Sequence, residues 1–307
     1  MYDMIIVGGG PAGLTAAIYG RRNGKSALVL EKAVFGGQIV NSPKVENIPG
    51  FTSISGDEFG DQLLDQAMSQ GAEVAMEEVT AVRKSDSGFT VVTSEGSEYE
   101  GKTVILATGT THRTLGLPGE ADLIGNGISF CAVCDGDFYR DKTVVMIGGG
   151  NSAFVESALL VGIVKKLVIL QDMPVFTADQ KLQDQVLPSE KVEAHVGTKV
   201  LSYAFSEEEP GKLCGVTYEE NGETKTASCD GVFLAVGLVP ENDAFKEWAE
   251  LDSRGYFVPQ NICTTKTLGI FVAGDCCQKT LRQVTTACAD GAYAAIAACD
   301  FINEKGS

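Results

Sequence analysis

Residues 4–13 read MIIVGGGPAG, and residues 144–153 read VVMIGGGNSA. Each is a short apolar run closed by three glycines and followed by a helical pattern. Ala16, Ala17 and Ile18 carry that pattern in the first copy, and Ala158, Leu159 and Leu160 in the second. Farther on, VILATG at 104–109 is echoed by VFLAVG at 232–237. The repeat period is domain-sized, which predicts two nucleotide-type modules and not a solenoid. The expected class is α/β, with two Rossmann-like, three-layer nucleotide-binding domains.

In the first copy Gly8-Gly9-Gly10-Pro11-Ala12-Gly13 is G-x-G-x-x-G between a strand and a helix. Gly8 permits the tight turn, Gly10 lets backbone approach a pyrophosphate, and Gly13 allows the helix to pack on the strand. The helix N-terminus faces the phosphates with its partial positive charge. Glu31 closes the next apolar run, about where an acidic side chain holds a ribose hydroxyl.

The second copy is intact in front and altered behind. Gly148 and Gly150 keep the first two glycines, Asn151 and Ser152 follow, and Ala153 is the permitted third small residue. Gln171 stands at the position equivalent to Glu31; it can hydrogen-bond a ribose hydroxyl but carries no charge. Asp172 follows and repels a ribose 2′-phosphate, and no arginine lies between Arg140 and Arg254. The module is therefore a poor NADPH site. NADH fits it better if it binds a nicotinamide at all; a retained scaffold with no ligand is the other reading.

The chain has 307 residues, enough for two domains with sizeable cores. Its 24 basic and 41 acidic residues give a net charge of −17, which disfavours nucleic acid and anionic membranes as partners. No apolar stretch approaches the roughly 18 residues that span a bilayer. Met1-Tyr2-Asp3-Met4 leads straight into a strand, with neither a basic start nor a cleavage site, so a soluble cytoplasmic protein is expected. Nine cysteines without a secretion signal argue against a structural disulfide framework. The two histidines, His112 and His195, read as ordinary surface or loop residues. No metal site is expected.

Cys131-Ala132-Val133-Cys134-Asp135-Gly136-Asp137 lies between the two repeats. A single C-x-x-C supplies two ligands, and no second spaced pair completes a zinc site. A redox pair is the better reading, because this spacing closes a small ring and often lowers a thiol pKa. Asp135 is placed to give and take a proton for a thiolate leaving group. Cys263, Cys288 and Cys299 read as small hydrophobes. The vicinal Cys276-Cys277, after Gly274-Asp275, carries a weaker redox signal.

Six blocks in fixed order extend this pattern: GGGPAGLTAA at 8–17, GGQIVNSPKVENIPGF at 36–51, ATGT at 107–110, CAVCDG at 131–136, GGGNSA at 148–153, and GIFVAGDCCQKTLRQVTTACADG at 269–291. With them the sequence resembles the low-molecular-weight, bacterial-type thioredoxin reductases over essentially its whole length. The resemblance implies a discontinuous FAD-binding domain, 1–113 plus 244–307, with an NAD(P)-type domain carrying the C-x-x-C inserted at 114–243. It implies that Gly8, Gly10, Gly13, Glu31, Gln38, Asn47, Gly274, Asp275, Arg282, Gln283 and Val284 hold FAD. Asp275 would meet the ribityl–pyrophosphate part and Arg282–Val284 the flavin ring. Cys134 would lie nearest the flavin, Cys131 would attack the disulfide of thioredoxin or a thioredoxin-like protein, and Asp135 would shuttle the proton. A homodimer is implied as well.

One departure bears on the electron donor. Relatives that use NADPH carry His-Arg-Arg where this chain has Gln171-Asp172-Met173, and a later arginine where it has Thr177. NADH is expected ahead of a ferredoxin-linked, pyridine-nucleotide-independent reaction, and that ahead of NADPH. A small-molecule dithiol oxidase is the remaining alternative.

Overall fold

The computed structural model describes residues 1–42, 44–209 and 211–305. Pro43, inside the 36–51 block, lies outside them. The chain divides into two compact units. One comprises Met1–Val40, Ile48–Thr111 and Val239–Ser307, and the other Asn41–Asn47 and His112–Leu238.

The first unit opens with β1 (Tyr2–Val7), α1 (Pro11–Arg22), β2 (Ala27–Glu31), α2 (Gly56–Ser69) and β3 (Glu73–Met76). A hairpin, β4 (Val79–Ser85) and β5 (Gly88–Thr93), leads into β6 (Glu98–Leu106). Its sheet runs β3-β2-β1-β6-β5-β4. The C-terminal half of β6 pairs in parallel with β1 and its N-terminal half antiparallel with β5. Met4, Ile5 and Ile6 of β1 are wholly buried. That is why β1 is a continuous apolar run and not an alternating one: a parallel strand is covered on both faces.

The chain leaves this unit through β7 (Thr110–His112). The second unit holds α3 (Glu120–Leu123), β8 (Ile128–Ser129), α4 (Ala132–Asp135), β9 (Thr143–Ile147), α5 (Asn151–Val161), β10 (Lys166–Leu170), α6 (Gln180–Val186) and β11 (Val192–His195). An antiparallel meander follows, β12 (Thr198–Phe205), β13 (Leu213–Glu220) and β14 (Glu223–Ser228), and then β15 (Gly231–Leu234). The parallel sheet runs β11-β10-β9-β15-β8. Alternate residues of β9 feed opposite layers. Val145 and Ile147 pack with Val216 and Tyr218 of the meander, Val144 and Met146 with Phe154 of α5.

β16 (Leu238–Pro240), paired with β7, returns the chain to the first unit, which ends with β17 (Ile270–Val272) beside β6 and α7 (Val284–Lys305). The two parallel sheets thus share one plan, β3-β2-β1-β6-β17 and β11-β10-β9-β15-β8. The outer strand is contributed last in the first unit and first in the second.

The chain crosses between units at 111/112 and 238/239, against the 113/114 and 243/244 expected from sequence. One stretch differs more. Asn41–Asn47, assigned from sequence to the first domain, groups with the second unit. Its described residues belong to no named strand of the first sheet, Lys44 Nζ stands 5.9 Å from the centre of the Phe138 ring, and Asn41 O approaches Gly125 closely. No helix among the described residues is long and apolar enough to cross a membrane.

Candidate active site

Each unit opens with the same turn. Gly8 has φ +109°, and a Cβ there would come within 2.2 Å of Ala107 O; Gly148 has φ +125° and would strike Ala235 O at 2.4 Å. Only glycine combines that backbone with that approach. Gly10 and Gly150 then stand at the N-caps of α1 and α5 without a side-chain cap, and neither helix has an acid in its first turn. Their first amides are left for a ligand's oxygens.

Behind the first turn, Glu31 Oε2 accepts the Gly9 N–H at 2.6 Å, and Oε1 accepts the Ala33 N–H at 2.8 Å. The carboxylate is fixed beside the phosphate loop. Gly36 and Gly37 lie against Gly10, and Gln38 follows on the exposed side. Asn47, also expected at FAD, is exposed within the stretch that groups with the second unit.

The C-terminal part of the first unit adds a partly buried acid. Burial pushes the Asp275 carboxyl up, against the pull of Lys279, and its Oδ1 has no hydrogen-bond partner. Gly274 N–H is held by Asp290 Oδ2 at 3.1 Å. A carboxylate oxygen with no hydrogen bond, only the Lys279 ammonium 3.8 Å away, beside a glycine turn suits a ligand hydroxyl, so these residues fit the ribose and ribityl groups of FAD. Arg282, expected at the flavin ring, sits within its own loop. Its guanidinium donates to the carbonyls of Asp275, Cys277 and Lys279 and stacks 4.3 Å from the Tyr256 ring, so it holds the loop together. Gln283 precedes Val284, which begins α7.

In the second unit Gln171 copies the placement of Glu31. It is buried against Gly149, as Glu31 is against Gly9. Its Nε2 donates to Val175 O at 3.4 Å. Asn151 is tied to Asp179, donating to its Oδ2 at 3.1 Å and accepting its N–H at 2.7 Å. Ser152 is exposed and Ala153 buried. Asp172 and Thr177 are exposed at the edge of this cradle, and Asp172 and Asp179 keep it acidic.

The two cysteines of the C-x-x-C form a disulfide, Cys131–Cys134, with Cα atoms 5.3 Å apart. β8 delivers Cys131 to the N-cap of the short α4, where its Sγ accepts the Cys134 N–H at 3.2 Å. Asp135 lies buried behind the pair. Its Oδ2 accepts Ser129 Oγ–H at 2.6 Å while Oδ1 is unpartnered. Burial raises the Asp135 pKa, and the Ser129 bond pulls it the other way. Such a carboxyl can hold a proton and give it up to a nearby sulfur.

Two groups at this centre escaped the sequence reading. Ser129 carries no motif. Glu156 of α5 accepts the Ala132 N–H, and its pKa is raised by burial first, and also by the charge of Asp135. Nor is His112 an ordinary surface residue: its ring stacks 4.1 Å from Phe130, and burial lowers its pKa to about 4. His195 bridges Glu193 and Glu220, a structural place.

The architecture has known counterparts. The family model for pyridine nucleotide-disulphide oxidoreductases matches residues 2–291. The chain belongs to that family. Within it, the chain is 40% identical over 305 residues to the thioredoxin reductase of Treponema pallidum, covering 98% of this chain and 97% of the relative. It is 37% identical over 306 residues to that of Bacillus subtilis, covering 99% and 96%. The crystal structure of thioredoxin reductase from Streptococcus pyogenes superposes with a TM-score of 0.89 at 35% identity, covering 99% of each chain. This pyridine nucleotide-disulphide oxidoreductase is therefore an enzyme of the bacterial-type thioredoxin reductase group, a membership that implies FAD and a pyridine nucleotide.

Proposed function

We propose that the enzyme reduces thioredoxin or a thioredoxin-like protein through Cys131 and Cys134, with NADH as the electron donor. The observation that carries the reading is the Cys131–Cys134 disulfide with Asp135 behind it, a carboxyl whose proton affinity burial raises. The glycine loop, Glu31 and Asp275 would hold FAD, which would supply two-electron transfer between a nicotinamide and a disulfide.

In the reduced centre Cys131 is the nucleophile, because the Cys134 amide is directed at its sulfur and favours the thiolate. Cys131 Sγ bonds to one sulfur of the partner's disulfide, and the other leaves as a thiolate that takes the Asp135 proton. Cys134 then attacks Cys131 Sγ, re-forming the internal disulfide and releasing the partner as a dithiol. Two electrons and two protons pass to the partner. Val133 and Phe138, half exposed on either side of Cys134, offer apolar contact to a protein surface.

The donor assignment rests on charge. At about 4 Å a like-charge pair costs roughly 1 kcal/mol in water and about 4 at an effective dielectric constant of 20. Asp172 and Asp179 oppose a 2′-phosphate, and an arginine clamp is absent from the sequence there. The test is thioredoxin reduction by the FAD-loaded enzyme with each nucleotide. A kcat/KM for NADH at least tenfold above that for NADPH is expected. A preference for NADPH overturns the donor assignment. Turnover with reduced ferredoxin alone overturns the use of a nicotinamide.

A further inference from the structure

The exchange just described leaves one carboxylate at the disulfide without a role. Glu156, on the second turn of α5, accepts the N–H of Ala132, the residue that follows Cys131 and opens α4. Hydrogen bonds to an ionised carboxylate are roughly twice as strong as neutral ones. Amides at the start of a helical turn are also what stabilises a thiolate at its N-cap. Cys131 Sγ receives the Cys134 amide of this turn, while the Ala132 amide is directed at Glu156 instead.

We infer that Glu156 sets the reducing power of the Cys131–Cys134 couple, by placing a carboxylate on the amide next to Cys131. The inference rests on the proposed use of that couple in thiol–disulfide exchange. Two electrons and two protons convert the disulfide to two thiols, of which Cys131 ionises to act. Whatever stabilises its thiolate stabilises the reduced form and makes the couple a weaker reductant. Thioredoxin is itself a strong reductant, so its donor has to be held at a comparably low potential. Glu156 is a positioning residue, acting on Cys131 through the α4 turn. Asp135, when ionised, acts on Glu156 in turn and raises its proton affinity.

The test is a redox titration of the FAD-loaded wild type, E156Q and E156A in dithiothreitol buffers at pH 7. Alkylation of Cys131 and Cys134, read by peptide mass, gives the dithiol fraction. E156Q removes the charge and keeps an acceptor for Ala132; E156A removes both. The expected result is a shift of about tenfold toward the dithiol for E156Q, equal to about 30 mV, and at least as large a shift for E156A. Faster alkylation of Cys131 at pH 7 should accompany it, a change that loss of a merely structural contact does not produce. Equilibrium constants within twofold of wild type for both variants overturn the inference. Should E156Q fail to load FAD, E156D, which draws the carboxylate back from Ala132 by one methylene, must shift the constant in the same direction. The titration needs no thioredoxin, so a wild type that cannot reduce thioredoxin defeats the functional reading separately.

Discussion

Ser129 Oγ lies 2.6 Å from Asp135 Oδ2, and the second oxygen of that buried carboxyl has no partner. One oxygen is therefore anchored and the other is free to carry a proton. The Ser129 bond favours the anion and burial favours the acid, and burial wins. Removing the hydroxyl tips the balance further.

Ser129→Ala should accordingly raise the Asp135 pKa and extend the alkaline limb of the pH–rate profile for thioredoxin reduction. A limb that moves to lower pH contradicts the assignment of Asp135 as the acid. Asp135→Asn should slow the exchange by about 10²–10⁴, the usual worth of general acid catalysis. The same variant tests linkage. The folded state holds this proton more tightly than the unfolded chain, so ionised Asp135 destabilises the fold above the ordinary carboxylate range. Asp135→Asn should melt no lower than wild type at pH 7 while losing rate.

Cys134→Ser leaves Cys131 able to attack but removes the resolving sulfur. A stable mixed disulfide between Cys131 and thioredoxin should accumulate, with FAD still bound and steady-state turnover lost. Mass spectrometry of the trapped species checks this. Trapping with Cys131→Ser instead would reverse the two roles.

Asp172 and Met173 are exposed beside the second glycine loop, whereas Gln171 is 4% exposed and packed on Gly149. Asp172→Arg with Met173→Arg should therefore raise kcat/KM for NADPH relative to NADH by at least tenfold without disturbing the fold. Adding Gln171→His should cost stability, because the ring must replace a side chain already against Gly149. An unchanged nucleotide ratio would show that this edge does not meet the adenosine ribose.

His112 titrates at about 4 in the fold against an ordinary 6.5, because burial disfavours the imidazolium. Its contribution to stability is complete above about pH 6.5 and is lost as the pH falls toward 4, since the unfolded chain binds the proton first. His112→Phe keeps a ring for Phe130 to stack on and removes the titration. Denaturant unfolding between pH 7 and 4 should show a shallower loss for that variant than for wild type.

Gly8, Gly148, Glu31 and Gln171 were all legible in the chain, and so was the Cys131–Cys134 pair. The 41–47 stretch was not, because its described residues form no named strand or long helix and so give no periodicity by which to assign it. Nor do type and motif show that three carbonyls of its own loop and the Tyr256 ring take the Arg282 guanidinium. A side chain's type and motif do not disclose which of several nearby acceptors it meets.

By itself the sequence determined the repeated β–turn–α units, their glycine turns and the redox pair. Those features are closed within a few tens of residues, where sterics and spacing leave one solution. The tertiary structure alone decided that β8 and β17 take equivalent outer places, that Ser129 meets Asp135, and that Glu156 reaches the Ala132 amide from 24 residues away. These depend on how helices and strands pack in three dimensions. Burial then fixes the proton affinities of Asp135, Glu156 and Asp275, and burial is a property of the folded chain.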